Sequence, residues 1–436
     1  MLVRPLSPPE ETSLPLTFFD VFWVPAPPVQ RVFFYRLAPD ADTDAVLADL
    51  KDSLSHAVRA FFPLAGRLRL TPGTANRYEL YYLPGDAVAF TVAEYDGDHD
   101  FDSLAADEPR DVARIAPLAP PLPDGGAVLA LQATLLSGGR RGLALGVTVH
   151  HAACDGAAST HFLHTWAAAA CCAGAGTTTL PPPPVIDRTL VSDPRGLYDV
   201  FCPPAASSTT EDKAFVKVPD DQQLLATFTL SKHQLQRVKD VVAAARGPRC
   251  SSLVAALGFV WSCYHRANKP RDGRTCLLLP VDYRSRWKPP LPDKYFGNCM
   301  GGAFAIASGS ELSAGAGGGL LAACAAVAAG VEEAVSGDAT ETMGMLKERV
   351  TEAVAMGGML TVAGSPRFRV YELDMGFGRP AKVDILSVAK TGAVAVAESR
   401  AGDGGGIEVG VCLPPEGMDA FRKCFADAVA WLEEAQ

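Results

Sequence analysis

The chain runs from the apolar stretch Leu143-Ala144-Leu145-Gly146-Val147-Thr148-Val149 directly into His150-His151-Ala152-Ala153-Cys154-Asp155-Gly156. Seven aliphatic, β-branched and small residues predict a buried strand, and Asp-Gly predicts a turn into the next element. The two histidines therefore lie at the end of a strand. Because side chains alternate along a strand, His150 and His151 point to opposite faces, and only one of them can enter a given cleft.

A histidine at the exit of a strand is well placed to act as a general base. Neutral imidazole accepts a proton near pH 7. Asp155 follows four residues after His151, beyond the turn, where it is suited to bracing the loop. The pattern HxxxD has few fixed positions and is equally compatible with a structural loop histidine, so the choice depends on further motifs.

Two further motifs lie downstream, Tyr295-Phe296-Gly297-Asn298-Cys299 and Asp374-Met375-Gly376-Phe377-Gly378-Arg379-Pro380. Residues 16–20 read LTFFD, residues 62–68 read FPLAGRL and residues 282–286 read DYRSR. With HxxxDG and DxGxGRP in this order and separation, the chain resembles the BAHD acyltransferases over nearly its whole length. These plant enzymes move acyl groups from coenzyme A thioesters to hydroxyls or amines. The Tyr-Phe-Gly-Asn-Cys motif resembles the branch that acylates flavonoid, anthocyanin and phenolic glycosides, often with malonyl groups.

Length and composition set limits on the class of protein. The 436 residues suffice for two or three domains, and 48% hydrophobic with 20% charged residues is ordinary for a soluble enzyme. The net charge of −10 argues against nucleic acid or an anionic membrane as a partner. The first residues lack the apolar core of a secretory signal, and no run of eighteen apolar residues follows. We therefore expect a cytoplasmic protein, active as a monomer.

The 11 cysteines are scattered, odd in number and without CxxC spacing. In a reducing compartment such cysteines are mostly small buried hydrophobes. Histidines and cysteines do not fall into ligand spacings, so no metal site is predicted.

Hydrophobic periodicity predicts the main elements on both sides of a proline-rich stretch. The first helix has Asp42 or Thr43 as its N-cap. The stretch at 308–336 is too rich in glycine for a membrane span and predicts a loop followed by a packed helix. The predicted elements are a helix at 45–61, strands at 128–137 and 142–151 joined by a turn at 138–141, a helix at 157–172, a strand at 224–230, helices at 231–244 and 252–268, and a strand at 275–281.

The resemblance implies an α/β fold of two similar mixed β-sheet and helix domains, chloramphenicol acetyltransferase-like, with an active-site channel between them. The stretch with four successive prolines at 181–184 fits a crossover linker. We accordingly expect an N-terminal domain at 1–173 carrying HxxxDG, a linker at 174–212 and a C-terminal domain at 213–436 carrying the other two motifs.

Acyl transfer from a thioester requires a base for the acceptor, a donor for the developing oxyanion and exclusion of water. His151 is the candidate base. The thioester already has a good leaving group, so Cys154 and Ser159 are expected to be structural. In the resembled family the histidine acts alone, and the residue matching Asp155 turns away to pair with an arginine of the second domain. Arg284 is the candidate partner, with Arg286 as the alternative.

The oxyanion donor has two candidates, a backbone amide near Gly364 and the hydroxyl of Ser365. The downstream motif departs from the family's usual Asp-Phe-Gly-Trp-Gly at Met375 and Phe377. Its glycines suit a tight turn and its aspartate a hydrogen-bonding role, which indicates a structural motif. The members of this predicted turn are Asp374, Gly376 and Gly378.

Coenzyme A is a polyanion, so an acidic protein needs a local positive region to bind it. Residues 264–294 contain eight Lys or Arg against three Asp, where the resembled family places much of its coenzyme contact; a pair of solvated loops is the alternative. Ser251-Ser252 at a helix start would offer hydroxyls and backbone amides to a phosphate or the pantetheine arm. The predicted contacts to the acyl-CoA are Arg188, Ser251, Ser252, Arg284, Arg286, Asn298, Gly364 and Ser365.

Arg188 follows the proline run and resembles the arginine that malonyl-using members place there. An Asp187-Arg188 pair after a linker would equally tie that segment down. The leading hypothesis is a malonyl-CoA-dependent O-acyltransferase acting on a flavonoid or phenolic glycoside, with the acyl-CoA as co-substrate and no permanently bound cofactor. The alternatives are an acetyl- or hydroxycinnamoyl-CoA-dependent O- or N-acyltransferase, and an inactive acyl-CoA-binding protein.

Overall fold

The computed structural model describes residues 1–95, 100–136, 142–175, 179–204, 222–245, 250–268, 273–402 and 404–434. The predicted turn at 138–141 and part of the predicted linker fall outside these ranges, as do Lys269 and Arg271 of the basic stretch.

The described chain contains sixteen strands and fourteen α-helices. The strands are β1 Leu2–Val3, β2 Thr12–Pro15, β3 Val29–Arg36, β4 Arg67–Leu70, β5 Tyr78–Tyr82, β6 Val88–Glu94, β7 Arg110–Asp111, β8 Leu129–Leu136, β9 Gly142–Val149, β10 Leu224–Leu230, β11 Arg274–Asp282, β12 Met300–Ser308, β13 Met359–Gly364, β14 Lys382–Ile385, β15 Val394–Glu398 and β16 Ile407–Leu413. The helices are α1 Phe18–Val21, α2 Thr43–Ala60, α3 Phe101–Leu104, α4 Val112–Ile115, α5 Gly156–Ala175, α6 Leu197–Phe201, α7 Lys232–Ala244, α8 Ser252–Ala267, α9 Gly309–Leu312, α10 Gly315–Ser336, α11 Ala339–Gly344, α12 Leu346–Ala355, α13 Val388–Thr391 and α14 Pro415–Glu434.

Two large mixed sheets organise the α/β fold. One has six strands in the order β1-β6-β8-β9-β3-β14, and the other has seven in the order β12-β11-β13-β15-β16-β10-β7. A small third sheet is formed by β2-β5-β4. Parallel pairing occurs at β6–β8, β11–β13 and β13–β15, and the remaining pairs of the large sheets are antiparallel. The predicted two-domain architecture of mixed sheets and helices is confirmed.

The two sheets exchange one strand each. β14 comes from the second half of the chain and pairs antiparallel with β3 in the first sheet. β7 comes from the first half and pairs with β10 in the second sheet. Arg110 of β7 and Asp384 of β14 form a buried ion pair at 2.7 Å, which ties the two exchanged strands to each other. A division of the sequence into 1–173 and 213–436 does not describe this exchange.

Local sequence accounts for the helices that support the first sheet. The carboxylate of Asp42 accepts hydrogen bonds from the amides of Asp44 and Ala45 and so begins α2, as predicted. α2 buries an apolar face against α5, where the indole of Trp166 donates to the carbonyl of Leu50 at 3.1 Å. Both predicted helices are confirmed, and α5 is longer than expected.

β9 is buried at all of its positions and lies between β8 and β3. The strand ends at Val149, two residues earlier than predicted. The amide of His150 donates to the carbonyl of Val128, and the carbonyl of His150 then accepts from Ala153, so the backbone is already turning towards α5. This turn places His151 just beyond the end of β9.

The predicted packed helix in the glycine-rich stretch is α10. It lies against α8 and β12. A Cβ atom at Gly330 would approach the carbonyl oxygen of Phe304 to 2.7 Å, so glycine permits the close contact with β12. Among the described residues, one helical segment at 317–336 is long and apolar enough to cross a membrane, judged by length and composition alone.

Candidate active site

A cavity of about 1670 Å³ is lined by residues of both large sheets. The first sheet contributes Val29 and Val149, and the second contributes Leu279 and Val362. His151 lies on the wall of this cavity, whereas His150 does not. Mostly apolar walls with a few convergent polar groups are typical of a site for an organic ligand.

The imidazole of His151 is held from two sides. Its ring stacks on the indole of Trp23, with ring centroids 3.9 Å apart and an interplanar angle of 16°. Its Nδ1 atom lies 3.1 Å from the Oδ1 atom of Asn298. Stacking fixes the plane of the ring and the hydrogen bond fixes its rotation, so the direction of Nε2 is determined.

A buried carboxylate determines which tautomer of His151 is present. The Nδ2 group of Asn298 donates to Oδ1 of Asp20 at 2.9 Å and to the carbonyl of His151 at 2.9 Å. Because a carboxylate only accepts, this contact orients the Asn298 amide and leaves its Oδ1 to face the imidazole. Nδ1 of His151 therefore carries the proton, and Nε2 has the free lone pair that a general base needs.

Burial lowers the pKa of His151 below its ordinary range, and the positive charge of Arg31 acts in the same direction. The charge of Asp155 and the hydrogen bond to Asn298 act in the opposite direction but do not outweigh burial. The imidazole is therefore neutral at physiological pH, which is the state required of a base.

The lowered pKa predicts the pH dependence of activity. If His151 is the general base, activity needs its neutral form and is lost as pH falls through the pKa of this group. We expect the acidic midpoint of kcat/KM to lie below about pH 6.5, the ordinary value for histidine. A pH–rate profile measures it, and a midpoint above pH 7 would contradict the assignment.

The side chain of His150 contacts its own loop and does not line the cavity. Its Nδ1 atom accepts a hydrogen bond from the amide of Ala152 at 3.1 Å. Burial and the neighbouring His151 lower the pKa of His150 to about 4, so it too stays neutral.

Asp155 turns away from the imidazole and pairs with Arg284. Its Oδ2 lies 2.8 Å from Nη1 of Arg284, and its Oδ1 accepts from Nη2 at 3.0 Å. The same carboxylate accepts from the amides of Ala158 and Cys299. The pair expected from the resemblance is therefore present, and it joins the start of α5 to the Tyr-Phe-Gly-Asn-Cys loop.

The basic stretch reaches the cavity at three points. Arg284, Arg286 and Lys294 line it. Arg284 is committed to Asp155, while Arg286 is exposed and donates to the carbonyl of Asp282. Lys288 instead pairs with Asp338 outside the cavity lining.

Ser251 and Ser252 lie on the cavity wall at the start of α8. The hydroxyl of Ser251 caps the helix by accepting from the amide of Val254 at 3.2 Å. Ser252 accepts from Nζ of Lys239 at 2.9 Å, which adds a cation at the same place. A helix N-terminus with a lysine beside it suits a phosphate group.

Both candidates for the oxyanion donor also line the cavity. Gly364 ends β13 with φ at +79°, and a Cβ atom there would approach the carbonyl oxygen of Val396 to 2.5 Å. The position therefore requires glycine. Ser365 accepts from the amide of Arg367 at 3.2 Å, which leaves its hydroxyl hydrogen available to donate.

The downstream motif forms a tight turn. Oδ1 of Asp374 accepts from the amides of Gly376 at 2.9 Å and Gly378 at 3.1 Å, and both glycines have positive φ. Phe377 packs edge-on against Tyr35 at 5.3 Å, so an aromatic ring alone suffices there. The carboxylate of Asp374 bonds to its own turn, and its carbonyl accepts from the thiol of Cys171 in α5 at 3.3 Å.

Two predicted contacts to the acyl-CoA lie behind the cavity wall. Neither Arg188 nor Asn298 lines the cavity. Arg188 pairs with Asp20 at 2.8 Å and donates to the carbonyl of Ala153. Asn298 contacts His151 and Asp20, as described above. Both residues instead support the histidine, because neither side chain reaches the cavity: Asn298 contacts the imidazole, and Arg188 pairs with the carboxylate that orients Asn298.

Cys154 and Ser159 line the cavity but are poor nucleophiles. Burial, with the charge of Asp155, raises the pKa of the Cys154 thiol to about 12, so it stays protonated. The hydroxyl of Ser159 accepts from Arg31 and donates to the carbonyl of Gly156. Among the described contacts, no side chain that could act as a base accepts the proton of the Ser159 hydroxyl.

Sequence reasoning missed Trp23 and the role of Asp20. Asp20 belongs to the LTFFD motif, and an acidic residue inside an aromatic run is the signal that marks it as buried and bonded. No local pattern marks Trp23, because its partner His151 is far away in sequence.

A cavity between two mixed α/β domains, with the imidazole of His151 on its wall, is the architecture of the chloramphenicol acetyltransferase-like fold. The crystal structure of vinorine synthase shares this fold, with a TM-score of 0.71 over 96% of this chain and 95% of that one, at 20% identity.

Comparison of sequences gives the family. The profile of the Transferase family matches residues 1–428. The chain is 33% identical to the malonyl-CoA:anthocyanidin 5-O-glucoside-6''-O-malonyltransferase of Arabidopsis thaliana, covering 97% of this chain and 96% of that protein. It is 32% identical to phenolic glucoside malonyltransferase 2 of the same plant, covering 95% of this chain and 93% of that protein. It is 30% identical to the coumaroyl-CoA:anthocyanidin 3-O-glucoside-6''-O-coumaroyltransferase 2 of Arabidopsis thaliana, covering 95% of this chain and 94% of that protein. The chain therefore belongs to the Transferase family of BAHD acyltransferases, enzymes that use acyl-CoA as co-substrate.

Proposed function

We propose that this enzyme transfers a malonyl group from malonyl-CoA to a sugar hydroxyl of a flavonoid or phenolic glycoside, with His151 as general base. The observation that carries the proposal is the Asp20–Asn298–His151 arrangement, which leaves Nε2 unprotonated in the cavity. The names of the relatives support the malonyl donor and the glycoside acceptor.

In this mechanism Nε2 of His151 takes the proton of the acceptor hydroxyl as its oxygen attacks the thioester carbonyl. The carbonyl electrons move onto oxygen and form a tetrahedral oxyanion, which Gly364 or Ser365 would stabilise. The oxyanion collapses, the carbon–sulfur bond breaks, and the thiolate of coenzyme A recovers the proton from the imidazolium. No covalent acyl-enzyme is needed.

Product mass spectrometry tests the donor and acceptor together. The enzyme is incubated with malonyl-, acetyl- or coumaroyl-CoA and a small set of phenolic glucosides. We expect the mass of a malonyl ester as the main product. A coumaroyl ester as the main product would favour the second candidate, which the similarity to a coumaroyltransferase supports. Tight binding of acyl-CoA without turnover on any acceptor would indicate an inactive binding protein.

The family resemblance offers Arg188 as the receptor for the malonyl carboxylate, with a structural tie of its segment as the equal alternative, and substitution separates the two roles. If Arg188 binds the carboxylate, Arg188→Ala raises KM for malonyl-CoA about tenfold and spares acetyl-CoA. Because Arg188 is buried and pairs with Asp20 behind His151, we expect both donors to suffer alike. Steady-state kinetics with the two donors measures this. A loss confined to malonyl-CoA would contradict the structural role.

A further inference from the structure

One buried arginine on the cavity wall, Arg31, has no acidic partner among the residues that the structure describes. Arg31 lies in β3 between β9 and β14, and its side chain lines the cavity with the residue only 6% exposed. Among the described residues no carboxylate lies within 4 Å of its guanidinium. Its two hydrogen bonds go to neutral hydroxyls, those of Thr160 at 3.2 Å and of Ser159.

This arrangement is unusual for a buried cation. Taking a guanidinium out of water is costly unless a counter-ion compensates it. Burial accordingly lowers the pKa of Arg31 to about 10. Arg284, the other buried arginine on the described cavity wall, has its own carboxylate in Asp155. Arg31 has five N–H donors and uses two of them within the chain, so it can still take both oxygens of an incoming carboxylate.

Arg31 lies on the side of the cavity where the chemistry occurs. Its positive charge acts to lower the pKa of both His151 and Cys154. The two hydroxyls that it contacts, those of Ser159 and Thr160, lie about one helical turn after Asp155. The free carboxylate of a malonyl thioester is one methylene away from the reacting carbonyl, so its receptor must lie close to the base. The other cations on the described wall are exposed or paired. Arg367 and Arg379 are exposed, Arg369 pairs with Glu372, and Arg400 pairs with Asp107.

We infer that Arg31 is the receptor for the terminal carboxylate of a dicarboxylic acyl donor such as malonyl-CoA. This inference rests on the proposed function and names the residue that selects the donor. The carboxylate of the donor supplies the counter-ion that Arg31 does not find among the described residues. A donor with a neutral acyl group leaves the guanidinium unpaired. Because an unpaired buried charge is costly, the site discriminates strongly against such a donor.

The test is the ratio of kcat/KM for malonyl-CoA to kcat/KM for acetyl-CoA, measured with a glucoside acceptor that the wild type uses. Arg31→Met keeps an unbranched apolar stem and removes the charged guanidinium. We expect the ratio to fall about ten- to hundredfold, the range for a charge-assisted hydrogen bond. The matched control is Arg36→Met on the same strand, where Arg36 is exposed and pairs with Asp102 away from the cavity; its ratio stays at the wild-type value.

A second variant keeps the guanidinium of Arg31 but gives it a carboxylate partner from the chain itself. Ser159→Asp places a carboxylate beside Arg31, so the fold gains a counter-ion while the donor loses its receptor. We expect the same fall in the ratio as for Arg31→Met. A ratio within threefold of wild type in either folded variant overturns the inference and leaves the proposed function standing. A wild type that prefers coumaroyl-CoA overturns the proposed function itself.

Discussion

His151→Ala lowers kcat by about 10²–10⁴-fold, the usual contribution of a positioned general base, and leaves the fold intact. The proposed role of the side chain is proton abstraction, and it contributes little to core packing because its ring lies on the cavity wall, stacked on Trp23. Single-turnover rates at saturating malonyl-CoA measure the chemical step. Circular dichroism and a thermal melt verify that the variant is folded. Turnover near the wild-type rate would remove His151 from the mechanism.

The neighbouring histidine is the control for this experiment. His150→Ala removes an imidazole next to His151 in sequence, but one whose Nδ1 only accepts from the backbone of its own turn. We expect a far smaller loss of kcat than at His151. Equal losses at the two positions would mean that the turn, and not the base, is what both substitutions damage.

Local sequence patterns predicted the elements that position His151. The periodicity of residues 45–61 and the Asp42 cap are properties of consecutive residues, and they fixed α2 to within a residue or two. The apolar run before His150 likewise predicted β9. The partner of Asp155 did not follow from spacing: Arg284 came from family resemblance, because an ion pair spanning more than a hundred residues has no local signature.

The contacts that orient the imidazole of His151 could not be predicted from local sequence patterns. Asn298 meets His151 across 147 positions, and Asp20 meets Asn298 across 278. Each is specified by the way the two domains pack. The exchanged strand β7 has only two residues, too few for any periodicity. Arg31 was overlooked for a related reason, since an arginine in a strand is ordinary until burial and the lack of a carboxylate partner in the described structure are seen together.

Asp155→Ala lowers the stability of the protein as well as its activity. The carboxylate is buried, accepts three hydrogen bonds, one from Arg284 and two from backbone amides, and makes a further ion-pair contact with Nη1 of Arg284. Removing it leaves the guanidinium of Arg284 buried without its main counter-ion, which costs about 3–5 kcal/mol. It also removes the cap from α5 and the link to the Tyr-Phe-Gly-Asn-Cys loop that holds Asn298. We therefore expect a lower melting temperature together with a loss of kcat.

Asp282→Ala separates this effect from the mere loss of a negative charge near Arg284. Asp282 also contacts Nη1 of Arg284, at 3.2 Å, but its side chain is 56% exposed. An exposed pair contributes at most about 1 kcal/mol, so this variant should melt close to the wild type. Differential scanning calorimetry of the two variants at one pH and salt concentration makes the comparison. If Asp155→Ala melts like Asp282→Ala while its turnover is lost, Asp155 acts on the substrate directly, and the division of labour between a catalytic His151 and a structural Asp155 is wrong.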